Sequence, residues 1–259
     1  MSDSTESVVR GPHLKLALWL GAASTLAALA VFPYLLTLMP TWFATLPVPL
    51  WKLVAAQVVQ AGVLCWLLAW LGLYLGGRHG LDAPWLRALV YRQPMPTRRP
   101  HWVLAAVLGV LAGTAVIGIK LMQPSPTPLA FDAVGQAWRG ALASLYGGTV
   151  EEIVCRLGLV SLLVWLLAWT RRRQARPWMF IAAIVLAALL FGASHLPAAF
   201  ASGTPHTSFA ICQNIMLNAL VGLVFGGLFW KLGLEHAMLA HFCADLMLHV
   251  ASPLALGQA

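Results

Sequence analysis

Apolar residues in this chain run in long unbroken stretches, without the alternation of a strand or the one-sided stripe of a soluble helix. A helix needs about 20 mostly apolar residues to cross the hydrocarbon of a bilayer. Seven stretches predict such spans: residues 14–39 (interrupted by Pro33), 50–77, 101–122, 138–170, 178–196 (ended by Pro197), 209–230 and 236–254. The fourth is too long for one untilted span, and Gly147-Gly148 predicts a break, with a short helix before it and a second helix from about Thr149. Residues 83–91 predict a short amphipathic helix on the membrane surface. The expected fold is all-α, a polytopic transmembrane bundle of about seven spanning helices. A polar N-terminal segment, 1–13, precedes a single membrane-embedded domain, 14–254, whose intramembrane chemistry gathers in 138–254.

Composition agrees. Of 259 residues, 60% are hydrophobic and 9% charged, with a mean hydropathy of +0.81, against about 25% charged in soluble domains. The net charge of +8 does not indicate nucleic acid, because the basic residues sit between apolar runs: Arg78, Arg87, Arg92, Arg98 and Arg99 in one connection, Arg171, Arg172, Arg173 and Arg176 in another. This distribution puts those connections and the N-terminus on the cytoplasmic side and the weakly charged segments 123–136 and 198–208 outside. Cys65, Cys155, Cys212 and Cys243 all lie in apolar runs without a C-x-x-C pair and read as small buried hydrophobes. Trp42, Trp51, Trp102, Trp138, Trp169, Trp178 and Trp230 fall near span ends, as interfacial aromatics do. Gly109/Gly113 and Gly222/Gly226 form small-xxx-small pairs that favour close helix contacts.

Against this background a few polar residues stand out. A charge at the bilayer centre costs at least ~2.5–3.5 kcal/mol, yet Glu151, Glu152 and Arg156 share one stretch. Glu152 and Arg156 are four apart and share a helix face, so they can pair; Glu151 points elsewhere and is left free for chemistry. The alternative is an ion pair that only holds the bundle together. His195 closes the fifth span. On the seventh, His241 and Asp245 are also four apart, so that Asp245 can orient His241 by accepting from a ring nitrogen, and His249 continues the stripe as a neighbour. Gln213, Asn214 and Asn218 read as hydrogen-bonding groups between helices. Glu, His, His and Asp converging from three helices can deprotonate water and stabilise an oxyanion. The same set, Glu151, His195, His241 and Asp245, could instead hold zinc, although no His-Glu-x-x-His helix is present. Depth poses a conflict: Glu151 and His195 lie roughly 26–28 Å of helix from their inner ends, His241 only about 9 Å from Glu235. Either the last span begins deep or its inner boundary lies elsewhere.

Three motifs, Glu151-Glu152-Ile-Val-Cys-Arg156, Phe191-Gly-Ala-Ser-His195 and His241-Phe-Cys-Ala-Asp245, follow one another on successive helices. They resemble the CPBP family of type II CAAX prenyl proteases and bacteriocin-processing enzymes, also called Abi proteins, over about residues 145–250. The resemblance implies an intramembrane endopeptidase acting on a membrane-associated protein or peptide within the lipid bilayer. Glu151 and His195 would activate water, His241 and residue 245 would stabilise the oxyanion, and Glu152 and Arg156 would hold the site. The family has been described both as metalloproteases and as metal-independent glutamic proteases; with no His-Glu-x-x-His helix here, no cofactor is favoured and zinc is the alternative, and a bacterial inner membrane is expected, the N-terminus cytoplasmic by loop charge. The family accepts Asn at position 245. Here an ionised Asp can only accept, so Asp245 must be protonated, orient His241 or bind a metal. Two other readings use the same residues: a proton-coupled transporter, and a non-catalytic membrane partner such as an immunity or assembly factor.

Overall fold

A computed structural model describes residues 12–122 and 132–256. The expected polar segment 1–13 and the loop 123–136 therefore fall mostly outside the described residues. Seven helices are long and apolar enough to cross a membrane, which makes this an integral membrane protein: α1 (Leu14–Leu38), α2 (Leu50–His79), α4 (Trp102–Leu121), α5 (Ala133–Trp169), α6 (Pro177–Ala201), α7 (Ser208–Leu232) and α8 (Leu234–Ala255). The short helix α3 (Pro84–Tyr91) lies between α2 and α4, and no strand occurs among the described residues. Neither Pro33 nor Pro197 ends its helix. Each sits in the first turn of a resumed segment, Phe32–Leu38 and Leu196–Ala201, where the missing N–H would be unpaired anyway.

The bundle is built around α5, which packs against α1, α2, α6 and α8. Glycine allows this. An added Cβ at Gly72 of α2 would overlap the Leu157 carbonyl of α5, and one at Gly140 of α5 would overlap the His249 carbonyl of α8. Both small-residue pairs work the same way. Gly109 and Gly113 of α4 abut the Ala240 and Ala244 carbonyls of α8, while Gly222 and Gly226 of α7 abut Ala188 and Ile184 of α6. Helices that touch backbone to backbone gain dispersion contacts that lipid cannot match.

Several expectations are corrected. No break occurs at Gly147-Gly148. The helix continues, but in π-helical winding over Gly147–Glu151 and Ile153–Val160. The two glycines serve close approach instead: a Cβ at Gly147 would overlap the Asp245 carboxylate, and one at Gly148 would lie 3.0 Å from the Met238 carbonyl. α5 also starts earlier than residue 138, at Ala133, capped by the Asp132 carboxylate, which accepts from the Gly135 N–H at 2.7 Å. Helix α3 does not lie free on a surface. Arg87 and Ala88 are buried, and α3 packs between α1 and α8. Of the cysteines, Cys65 and Cys155 are buried but Cys212 is exposed. Trp102 and Trp230 turn inward, stacked on His236 and Phe180.

The start of α8 is covered by protein. Leu234, Glu235 and His236 are all buried. The chain turns at Gly233 with φ +104°, a value that favours glycine, and the Leu234 N–H donates to the Asp82 carbonyl at 3.0 Å. Residues 81–87 thus form a floor beneath α8.

Candidate active site

The first motif supplies two carboxylates with different surroundings. Glu152 is fully buried and Arg156 is 2% exposed; their charged atoms lie 3.0 Å apart, the pairing that their spacing predicts. Arg156 is fixed by more than this partner. Its Nη2 donates to the Gly222 carbonyl at 3.1 Å, and its guanidinium lies 4.8 Å from the Phe191 ring centroid and 5.3 Å from that of Phe225. A desolvated cation between two aromatic faces gains about 2 kcal/mol. Phe191, the first residue of the second motif, is therefore a wall of the site as well as part of a helix.

The same Glu152 oxygen that faces Arg156 accepts from His241 Nδ1–H at 2.6 Å. This corrects the expected role of Asp245, whose Oδ1 is 3.7 Å from His241 Nε2, beyond hydrogen-bond length. Glu152, across the helix interface, orients His241 in its place. The cause is geometric: α5 and α8 touch at glycine, which lets a short carboxylate reach a ring on the facing helix. Phe225 stacks on His241 with centroids 4.6 Å apart, and Phe191 meets it edge-on at 5.8 Å.

Glu151 turns away from Arg156, as expected. Its side chain keeps 23% exposure and faces both histidines: Oε1 is 3.8 Å from His195 Nε2, and Oε2 is 3.5 Å from His241 Nε2. His195 sits at the joint between the two segments of α6. Its Nδ1 lies 2.8 Å from the Phe191 carbonyl; a carbonyl can only accept, so Nδ1 carries the proton and Nε2 presents a lone pair toward Glu151. The structure thus brings Glu151, Glu152, Arg156, His195, His241 and Asp245 together from α5, α6 and α8. Among the described residues no group of three or more His, Cys, Asp or Glu side chains is arranged to hold a metal ion.

Gln213 takes no part in this cluster, and Asn214 and Asn218 bond within α7 instead of between helices. The Asn218 amide donates to the Asn214 carbonyl at 2.8 Å. Sequence reasoning missed Phe225 and Gly222. Neither carries a polar signal, and the Gly222/Gly226 spacing hinted only at packing.

No curated protein and no solved structure matches this chain. One family model does, over residues 133–247, described as type II CAAX prenyl endopeptidase Rce1-like. That segment begins with α5 and ends just after Asp245, so it contains all six residues of the cluster. Over residues 133–247, a little under half of its length, the chain is similar to the Rce1-like type II CAAX prenyl endopeptidase family, whose members are intramembrane proteases.

Proposed function

We propose that this protein is a metal-independent intramembrane endopeptidase that hydrolyses a peptide bond in a membrane-associated protein or peptide. The observation that carries the reading is the partly exposed Glu151 carboxylate between two histidine Nε2 atoms, at 3.8 and 3.5 Å. A water held by Glu151 and the His195 lone pair loses a proton to the carboxylate as its oxygen attacks the scissile carbonyl. The developing oxyanion is met by His241. Because Nδ1–H is already engaged by Glu152, only Nε2 is available, and it donates when the ring is an imidazolium. Glu151, Glu152 and Asp245 balance that charge in a site of low dielectric, where a fixed donor counts most. Protonated Glu151 then returns its proton to the leaving amine as the tetrahedral intermediate collapses. Arg156 touches no reacting atom in this scheme; it holds Glu152, and Glu152 holds His241.

Reconstituted protein in lipid vesicles, offered prenylated C-terminal peptides, leader peptides and single-span substrates, tests this directly. Cleavage that persists in chelator, with no stoichiometric metal in the active preparation, is the expected result. Chelator-sensitive cleavage restored by zinc would replace the reading with a metalloprotease. Substrate accumulation across the bilayer without cleavage would favour the transporter.

A further inference from the structure

Asp245 has a second histidine beside it, and that histidine is tied to the N-terminal half of the chain. His249 Nε2 lies 3.9 Å from Asp245 Oδ1. Its Nδ1 lies 3.0 Å from the Tyr34 hydroxyl, and the two rings meet edge to face with centroids 5.1 Å apart. Tyr34 belongs to the second segment of α1 and His249 to a π-helical turn of α8, Met247–Ala251. Both lie outside residues 133–247, the segment matched to the family, and the mechanism above uses neither. The π-turn is pinned from behind by Gly140 of α5 against the His249 carbonyl. A polar chain therefore runs Tyr34, His249, Asp245, His241 through the protein.

Its direction is set at the carboxylate end: the Tyr34 hydroxyl can donate to Nδ1 or accept from it, whereas a carboxylate only accepts. With the Tyr34 O–H donating to Nδ1, the ring proton sits on Nε2 and faces Asp245 Oδ1. The opposite tautomer would set a lone pair against a carboxylate oxygen. At 3.9 Å the contact is an N–H dipole facing a charge; it is too long for a hydrogen bond.

We propose that Tyr34 and His249 are positioning residues for the hydrolysis, holding Asp245 toward His241 and away from the oxyanion. This rests on the protease reading. A carboxylate released from His249 would carry its charge toward a developing oxyanion and repel it, whereas Asn carries no charge to misplace.

The test is a double-mutant cycle on the full-length enzyme in vesicles. His249→Leu is expected to lower kcat by about 10–100-fold, the usual loss for an orienting partner, with KM unchanged, and His249→Gln, which keeps an N–H donor, to recover most of it. In an Asp245→Asn background the same His249→Leu change should cost less than about threefold. Equal losses in both backgrounds would overturn the proposal. A second readout needs no substrate. In ¹⁵N-histidine-labelled protein, the His249 signal, identified by its absence in His249→Gln, should report the Nε2–H tautomer and change in Tyr34→Phe. An Nδ1–H tautomer in the wild type would refute the pairing whether or not the protein cleaves anything. An Nε2–H tautomer in a protein that cleaves nothing would instead remove the protease reading, and the positioning role with it.

Discussion

Two buried ionic clusters of similar composition sit on α8 and its neighbours, and they differ in how closely their outermost charges are met. At the cluster around α3, Arg87 is 5% exposed and fully occupied. Its Nε and Nη2 donate to the two Asp82 oxygens at 2.7 and 2.8 Å, Nη1 donates to the Pro12 carbonyl at 3.0 Å, and Nη2 also reaches His13 Nδ1 at 3.2 Å. Glu235 accepts from the Leu86 N–H at 2.7 Å through Oε1, and so caps α3, whose own cap position is an alanine without a side-chain bond; the Glu235 Oε2 is buried without a hydrogen-bond partner among the described residues. At the motif cluster Glu152–His241, Glu152–Arg156, Arg156–Gly222 and His195–Phe191 are short. The contacts of Glu151 and Asp245 with the histidines run from 3.5 to 3.9 Å. Satisfied buried charges rigidify a fold; loosely met ones keep the capacity to bind water, substrate or a proton. Comparable residues thus serve as a clasp in one place and as a reaction centre in the other.

That contrast can be broken at several points. The largest effect is expected at Glu151. Glu151→Gln should cut cleavage by about 10³-fold or more, in the range of a lost general base, with no loss of thermal stability in detergent. Wild-type turnover by this variant would remove Glu151 from the chemistry. Next comes the Glu152–Arg156 pair. Truncating either to Ala leaves a charge buried without its partner and should cost about 3–5 kcal/mol, while the double variant should cost less than the sum. Strict additivity in thermal unfolding would show that the pair does not couple.

The Arg87 clasp gives the complementary result. Arg87→Met should lower stability by about 1–3 kcal/mol, the cost of a lost buried hydrogen-bonded charge, and leave kcat of the folded fraction unchanged. A fall in kcat at constant stability would show that the clasp reaches the reaction centre through α8. The smallest effect concerns pH. Burial holds the His13 imidazole below its ordinary value of 6.5, and the Arg87 guanidinium adds to this. In the unfolded chain His13 takes up a proton as pH falls through about 6.5; the folded chain resists it. The stability contributed by neutral His13 is therefore complete above that pH and declines below it. Comparing the thermal midpoints of wild type and His13→Asn between pH 7 and pH 5 measures it. A larger acid loss in the variant than in the wild type would reverse the sign argued here.

Much of this protein is legible without its fold. Bilayer thickness converts uninterrupted apolar length into spanning helices, so seven helices were readable from hydropathy alone. The high cost of intramembrane charge singled out Glu151, Glu152, Arg156, His195, His241 and Asp245, and helix periodicity paired Glu152 with Arg156. Contacts between helices followed no such rule. That Glu152 and not Asp245 orients His241 depends on how closely α5 and α8 approach at Gly147, a distance that no periodicity encodes. Whether Gly147-Gly148 breaks a helix or admits a neighbour is likewise set by the facing surface, since glycine permits both. The places of Phe225 and Tyr34 were decided by tertiary structure alone, because an aromatic residue in an apolar run looks the same whether it faces lipid, a guanidinium or a histidine.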